Sequence, residues 1–130
     1  MKYSKGYLYQ LKERLVIDTP IRTGSICSIQ GFITLDEHGR LTIESGYAWN
    51  GNTLFIDTKN NMLSSLVHDA LYQLIQEGEL NFKYKPLADN LLRDLMIQSG
   101  SWKATANLFY YAVTIFGRSF ARKKKEVYEV

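Results

Sequence analysis

The hydrophobic pattern of this 130-residue chain changes period near residue 60, and that change restricts the fold more than any other feature. Upstream, β-branched and aromatic residues fall in short runs, Tyr7 to Ile17, Ile29 to Leu35 and Arg40 to Glu44. The last two face each other across Asp36-Glu37-His38-Gly39, a short glycine-bearing turn, and read as a β-hairpin with His38 in solvent. Thr19-Pro20 and Thr23-Gly24-Ser25 break the chain between runs, so a small antiparallel sheet is expected.

From Met62 the apolar residues recur at helical spacing, with Leu63, Leu66, Val67, Ala70, Leu71 and Leu74 on one stripe. Asn60 or Asn61 is the expected N-cap and Gly78 the expected stop. Pro86, tolerated in a first turn, opens a second helix with Leu87, Ala88, Leu91, Leu92 and Leu95 on its apolar face and Gly100 at its end. A third helix, from about Lys103 to Phe120, is expected to turn Leu108, Phe109, Ala112, Val113, Phe116 and Phe120 inward. The expected fold is therefore α+β, a small antiparallel N-terminal sheet followed by three α-helices. The length suits one domain over residues 1–130, with a β-rich part (1–60), a helical part (61–122) and a basic tail (123–130).

A single cysteine, Cys27, rules out an intramolecular disulfide, and nothing points to an oxidising compartment; it reads as a small buried residue. The N-terminal MKYSKGYLYQLKERL carries charges throughout and lacks the apolar core of a signal peptide. The longest apolar run, Ala104 to Gly117, is interrupted by Asn107 and Thr114 and falls short of the ~20 residues that span a bilayer. A soluble protein without a transmembrane segment is expected.

The net charge of +3 is uneven, since Arg118, Arg122, Lys123, Lys124 and Lys125 crowd the C-terminal end. Such a run can meet nucleic acid or anionic lipid, but cations also complement the dipole at a helix C-terminus. No aromatic-basic interleaving accompanies it, so nucleic acid is disfavoured as a partner. No glycine-rich phosphate loop is present either.

The candidate site lies in GYAWNGNTLFIDTKNNMLSSLVHDALY, residues 46–72, where a glycine- and amide-rich loop precedes a helix bearing His68 and Asp69. At about 100° per residue, His68, Ser65, Asp69, Tyr72 and Gln76 project away from the stripe centred on Leu63, Val67 and Leu74. His68 and Tyr72 sit one turn apart, whereas adjacent His68 and Asp69 diverge and need separate partners. Asp89, at the border of the second helix's apolar face, can reach the far imidazole nitrogen if the two helices pack antiparallel, fixing the tautomer and leaving the other nitrogen to take a proton from water. Asp69 is expected to point toward the Gly46 to Asn52 loop, whose carbonyls with a carboxylate make the oxygen-rich donor set that calcium prefers. Trp49 and Phe55 read as core or rim aromatics.

The patterns WNGNTLFIDTK, SLVHDALYQLI and ADNLL, followed by a helix ending in FG, resemble a phage and prophage family of unknown function, domain of unknown function family 1353, over roughly the last hundred residues. The chain departs from that pattern at Asn50, where the family usually has Asp, and at Asn52 and Thr53. More distantly, the His-Asp-x-x-Tyr helix and the second-helix Asp are similar to prokaryotic phospholipase A2. That resemblance implies two antiparallel helices, with His68 as general base, Tyr72 and Asp89 as its catalytic supports, and calcium held by Asp69 with Gly46, Trp49, Asn50 and Gly51. The disulfides of the secreted enzymes cannot form here.

Four expectations follow. His68, Asp69, Tyr72 and Asp89 form only a buried structural network, or they serve a calcium-assisted hydrolase of a lipid or other ester. Otherwise the chain is a virion or tail-assembly component bound to another phage structural protein, or a host-takeover or anti-defence factor bound to a host protein. The implied location is the host cytoplasm or the virion.

Overall fold

The computed structural model describes residues 3–4, 9–49 and 61–128, with side chains over 9–49 and 61–115. Among the described residues seven strands precede three α-helices, with a short 3-10 turn, Phe82–Tyr84, leading into the second: β1 (Tyr3–Ser4), β2 (Tyr9–Leu11), β3 (Leu15–Asp18), β4 (Cys27–Ile29), β5 (Ile33–Leu35), β6 (Arg40–Ile43), β7 (Ala48–Trp49), α1 (Met62–Gln76), α2 (Lys85–Gln98) and α3 (Lys103–Tyr128). The strands form two antiparallel sheets, ordered β1-β2-β7 and β3-β6-β5-β4. The fold is α+β.

The expected hairpin is β5–β6. Its register pairs Ile33 with Ile43 and Leu35 with Leu41, which buries all four on one face and turns Thr34 and Thr42 to the other. Asp36 shapes the turn, its Oδ1 accepting from the backbone N–H groups of His38 and Arg40, each at 2.9 Å. Gly39 has φ +93°, and a Cβ there would lie 2.4 Å from the Thr19 carbonyl oxygen. Thr19 in turn donates from its N–H and its hydroxyl to the Gly39 carbonyl, both at 2.8 Å. Only glycine fits there.

Two expected strands are each divided. The run ending at Ile17 splits into β2 and β3, which belong to different sheets, because exposed Lys12, Glu13 and Arg14 carry the chain from one to the other; Tyr7 lies outside the described residues. The run from Ile29 to Leu35 is broken by a tight turn in which Phe32 N–H donates to the Ile29 carbonyl and Gly31 takes φ +84°; Ile29 closes β4.

Helix α1 is buried nearly all round, not on one stripe. Leu66, Val67, Ala70, Leu71 and Leu74 join the core with Leu11, Leu35, Leu41 and Ile43, while Ser65, His68, Tyr72 and Gln76 are buried as well. The polar face opposite the stripe is covered because α1 packs against both α2 and α3 as well as β4. Expected core residue Leu63 is only half-buried.

Asn61 occupies the N-cap position of α1 without capping it; its Oδ1 instead accepts from Ser101 Oγ at 2.8 Å. That contact ties the start of α1 to the end of α2, as antiparallel packing requires. Gly78, at φ +79°, stops α1, and Gly100, at φ +102°, stops α2.

Helix α3 runs to Tyr128, so residues 123–128, expected as a tail, continue it. Ala106 and Val113 pack with Leu92 and Met96 in a second small core, with Phe109 beside them. Leu108, expected inward, is 68% exposed; it shares an outer stripe with Tyr111 and Ile115 because the buried line runs through 106 and 113. The side chains of Phe116 and Phe120 lie outside the described residues. No helix among the described residues is long and apolar enough to cross a membrane.

Candidate functional site

Antiparallel packing of α1 on α2 assembles four polar side chains in the helical interior. Asp89, with no exposed surface, is the centre. Its Oδ1 lies 2.9 Å from His68 Nε2 and accepts from the Tyr72 hydroxyl at 2.6 Å. Its Oδ2 accepts from Lys85 Nζ at 2.6 Å, and the ammonium also donates to the Val113 carbonyl of α3 at 3.1 Å. The helical spacing accounts for the arrangement, since His68 and Tyr72 lie four residues apart on α1 and Lys85 and Asp89 four apart on α2. The His68 and Tyr72 rings pack with centroids 4.0 Å apart.

The electrostatics follow from burial opposed by hydrogen bonds. Burial alone pushes the Asp89 carboxyl up, but donors from His68, Lys85 and Tyr72 outweigh it and hold the group below the ordinary carboxylate range. For His68, burial pushes the imidazole down and prevails over the opposing Asp89 contact. Tyr72 is pushed up by burial and by the Asp89 charge, so it stays a phenol. An ionised carboxylate can only accept, so Nε2 carries the proton in the His68–Asp89 bond. Neutral His68 then holds its lone pair at Nδ1, for which no hydrogen-bond partner occurs among the described residues.

Asp69 stands apart. Its half-buried carboxyl is pushed up to about 8 by burial and accepts no hydrogen bond among the described residues. Its charge reaches both Tyr47 and Tyr72, raising each phenol after the larger effect of burial. Tyr47 itself donates to Gln73 Oε1 at 2.8 Å.

Of the residues expected to surround a cation, Asp69 is a carboxylate that accepts no hydrogen bond among the described residues. The Gly46 carbonyl already accepts from Gln10 Nε2 at 3.3 Å. Trp49 lies in β7, 3% exposed, with its indole N–H donating to Ser65 Oγ at 2.9 Å, as a core aromatic does. Asn50 and Gly51 lie outside the described residues, as does Phe55. Among the described residues no three His, Cys, Asp or Glu side chains converge as a metal-binding group.

The structure thus brings His68, Tyr72 and Asp89 into hydrogen-bond contact, while Asp69 reaches Tyr72 only through its charge and shares none of these hydrogen bonds. Sequence reasoning missed Lys85. Its signal was present, because Lys85, Asp89, Leu92 and Met96 share one side of α2, and a lysine in line with buried positions needs a carboxylate. Away from this network, a recess of about 210 Å³ is lined by Thr23, Ser25, Cys27, Glu79, Asn81, Lys83 and Tyr84. Cys27 is buried there and burial raises its thiol, which suits the small packing residue expected of it rather than a nucleophile. No protein-family model matches this chain, and no curated protein or solved structure matches it either.

Proposed function

We propose that the α1–α2 network is a hydrolytic site in which His68 activates water for attack on an acyl ester. The observation that carries this reading is the His68–Asp89 pair, whose geometry commits Nε2 and leaves Nδ1 with its lone pair. In the first step Nδ1 takes a proton from water as the water oxygen bonds to the ester carbonyl carbon. The tetrahedral intermediate then expels the alkoxide, which takes the same proton back from Nδ1 as the acid is released. Asp89 orients the imidazole and steadies its transient positive charge, and Tyr72 holds Asp89 Oδ1 in place. A divalent cation at Asp69, calcium by the oxygen chemistry of that residue, would supply positive charge for the carbonyl oxygen.

On this reading the chain is a small phage-encoded, phospholipase A2-like hydrolase of the host cytoplasm or virion, acting on lipid or a related ester. The test is hydrolysis of a phospholipid and a simple acyl ester by the wild type and by His68→Ala, with melting temperatures recorded with and without calcium. Turnover that disappears in a folded His68→Ala protein supports the reading; no turnover on either ester by the wild type sinks it. A calcium-induced rise in melting temperature that Asp69→Asn abolishes supports the cation, and no calcium effect removes it.

One observation favours a second reading, a non-enzymatic virion or assembly component. Leu108, Tyr111 and Ile115 form an exposed apolar stripe on α3, the kind of surface that packs against another protein. The chain's presence in purified particles, together with no ester turnover, would favour this alternative.

A further inference from the structure

Lys85 has no role in the chemistry described so far, yet it is one of the most constrained side chains in the molecule. The residue is 6% exposed, and its ammonium lies 2.6 Å from Asp89 Oδ2, 3.1 Å from the Val113 carbonyl oxygen and 5.9 Å from the centre of the Tyr72 ring. Burying an ammonium is costly unless a partner of opposite charge is in contact, and such a residue is rarely kept inside without one.

The consequence lies in how the two oxygens of Asp89 are divided. Oδ2 belongs to Lys85, while Oδ1 belongs to His68 and Tyr72. The direction of the His68–Asp89 bond depends on this division. A protonated Asp89 could donate to Nε2, which would move the imidazole proton to Nδ1 and remove the lone pair that a base requires. An ammonium on Oδ2 makes that oxygen an acceptor, and its positive charge disfavours a proton on Oδ1, where the Tyr72 hydroxyl already donates. The same positive charge also cancels that of Asp89 within the network. With Asp89 kept as an acceptor, Nε2 must donate and Nδ1 must stay bare. The bond to Val113 adds a third helix to this arrangement, because it fixes the ammonium from the α3 side.

We propose that Lys85 is a positioning residue that holds Asp89 through Oδ2 and thereby fixes His68 as the Nε2–H tautomer with Nδ1 unprotonated. The meaning of this for catalysis rests on the reading of His68 as the base, but the tautomer itself does not. That separation makes it possible to test the two independently.

The measurement is ¹⁵N NMR of the imidazole nitrogens in the full chain at neutral pH. The chain has only two histidines, and exposed His38, whose nearest acidic contact is Glu37 at 3.5 Å, provides an internal reference. In the wild type His68 should show one protonated nitrogen, Nε2, and one lone-pair nitrogen, Nδ1, without the averaging expected of His38. Lys85→Met, which keeps the length of the stem, should lose that signature, and Lys85→Arg should restore it at least in part. In an ester assay Lys85→Met should lower kcat with little change in KM. A folded Lys85→Met protein with an unchanged Nε2–H signature would overturn the proposal. If Lys85→Met does not fold, the wild-type spectrum decides alone, since an Nδ1–H tautomer or a tautomeric mixture at His68 would also overturn it. Loss of the signature in folded Lys85→Met, together with no turnover by the wild type, would uphold Lys85 while removing the hydrolase reading.

Discussion

Asp89 accepts hydrogen bonds from three side chains and has no contact with solvent, so its loss should be felt more than that of any other polar residue described. Asp89→Asn leaves the Lys85 ammonium buried without a counter-charge and should cost about 3–5 kcal/mol, measurable by urea unfolding. Gln76 presents the opposite case. Its Nε2 is buried and without a partner among the described residues, so Gln76→Met should be neutral or stabilising in the same measurement. Asp69 gives a pH dependence. Its carboxyl is pushed up from 3.8 to about 8 in the folded protein, so between those values the native state binds more protons than the unfolded one. Stability from this group is therefore present below pH 4 and is lost as pH rises toward 8. In metal-free buffer, Asp69→Asn should melt higher than the wild type at pH 8, with the difference shrinking at pH 5. That His68 looks to α2 and not to its neighbour Asp69 was legible from helical angles, and Asp89 is the partner it meets. The spacing of Lys85 along α2 hinted at its burial, but only the packing of α3 over it, seen in its bond to the Val113 carbonyl, decides that a lysine there is enclosed.

The elements differ in how plainly the sequence announces them. Both helix stops were readable, since Gly78 and Gly100 take positive φ where a helix must end. The divided strands were less so, because a run of β-formers does not reveal where a chain leaves one sheet for another, and Gln30-Gly31 is a brief signal inside such a run. Gly39 ties the hairpin turn to Thr19, and Gly39→Ala meets both a positive φ and a 2.4 Å approach to a backbone oxygen. It should destabilise by more than the ~1–3 kcal/mol of backbone strain alone, seen as a lower urea midpoint. In α1, Leu66 is fully buried at the junction of sheet and helices, and Leu66→Ala should cost about 2–5 kcal/mol. The expected stripe of α1 is buried except at half-buried Leu63, and the polar side is buried as well because a central helix is covered from both sides. Periodicity identifies the helix and its apolar face, but not whether other helices cover the polar one.

At the scale of the whole molecule, a sheet-and-helix core and a smaller α2–α3 core flank the polar network of α1 and α2. The two tryptophans report on this arrangement, Trp49 being 3% exposed in the main core and Trp102 82% exposed before α3. Iodide should quench only one of two emitting populations, and Trp102→Phe should remove the quenchable one. The α+β architecture could be read from the change of period near residue 60, whereas the outer stripe of α3 could not, because its apolar residues surround the helix on more than one side. The central claim, that His68 delivers water to an ester, is met most directly by hydrolysis of an acyl ester in ¹⁸O-enriched water by the full chain and by His68→Ala. Water activated by His68 puts one heavy oxygen into the released acid, at a rate lowered at least about 100-fold in the folded variant; no product above the blank, or an equal rate from His68→Ala, would contradict that role.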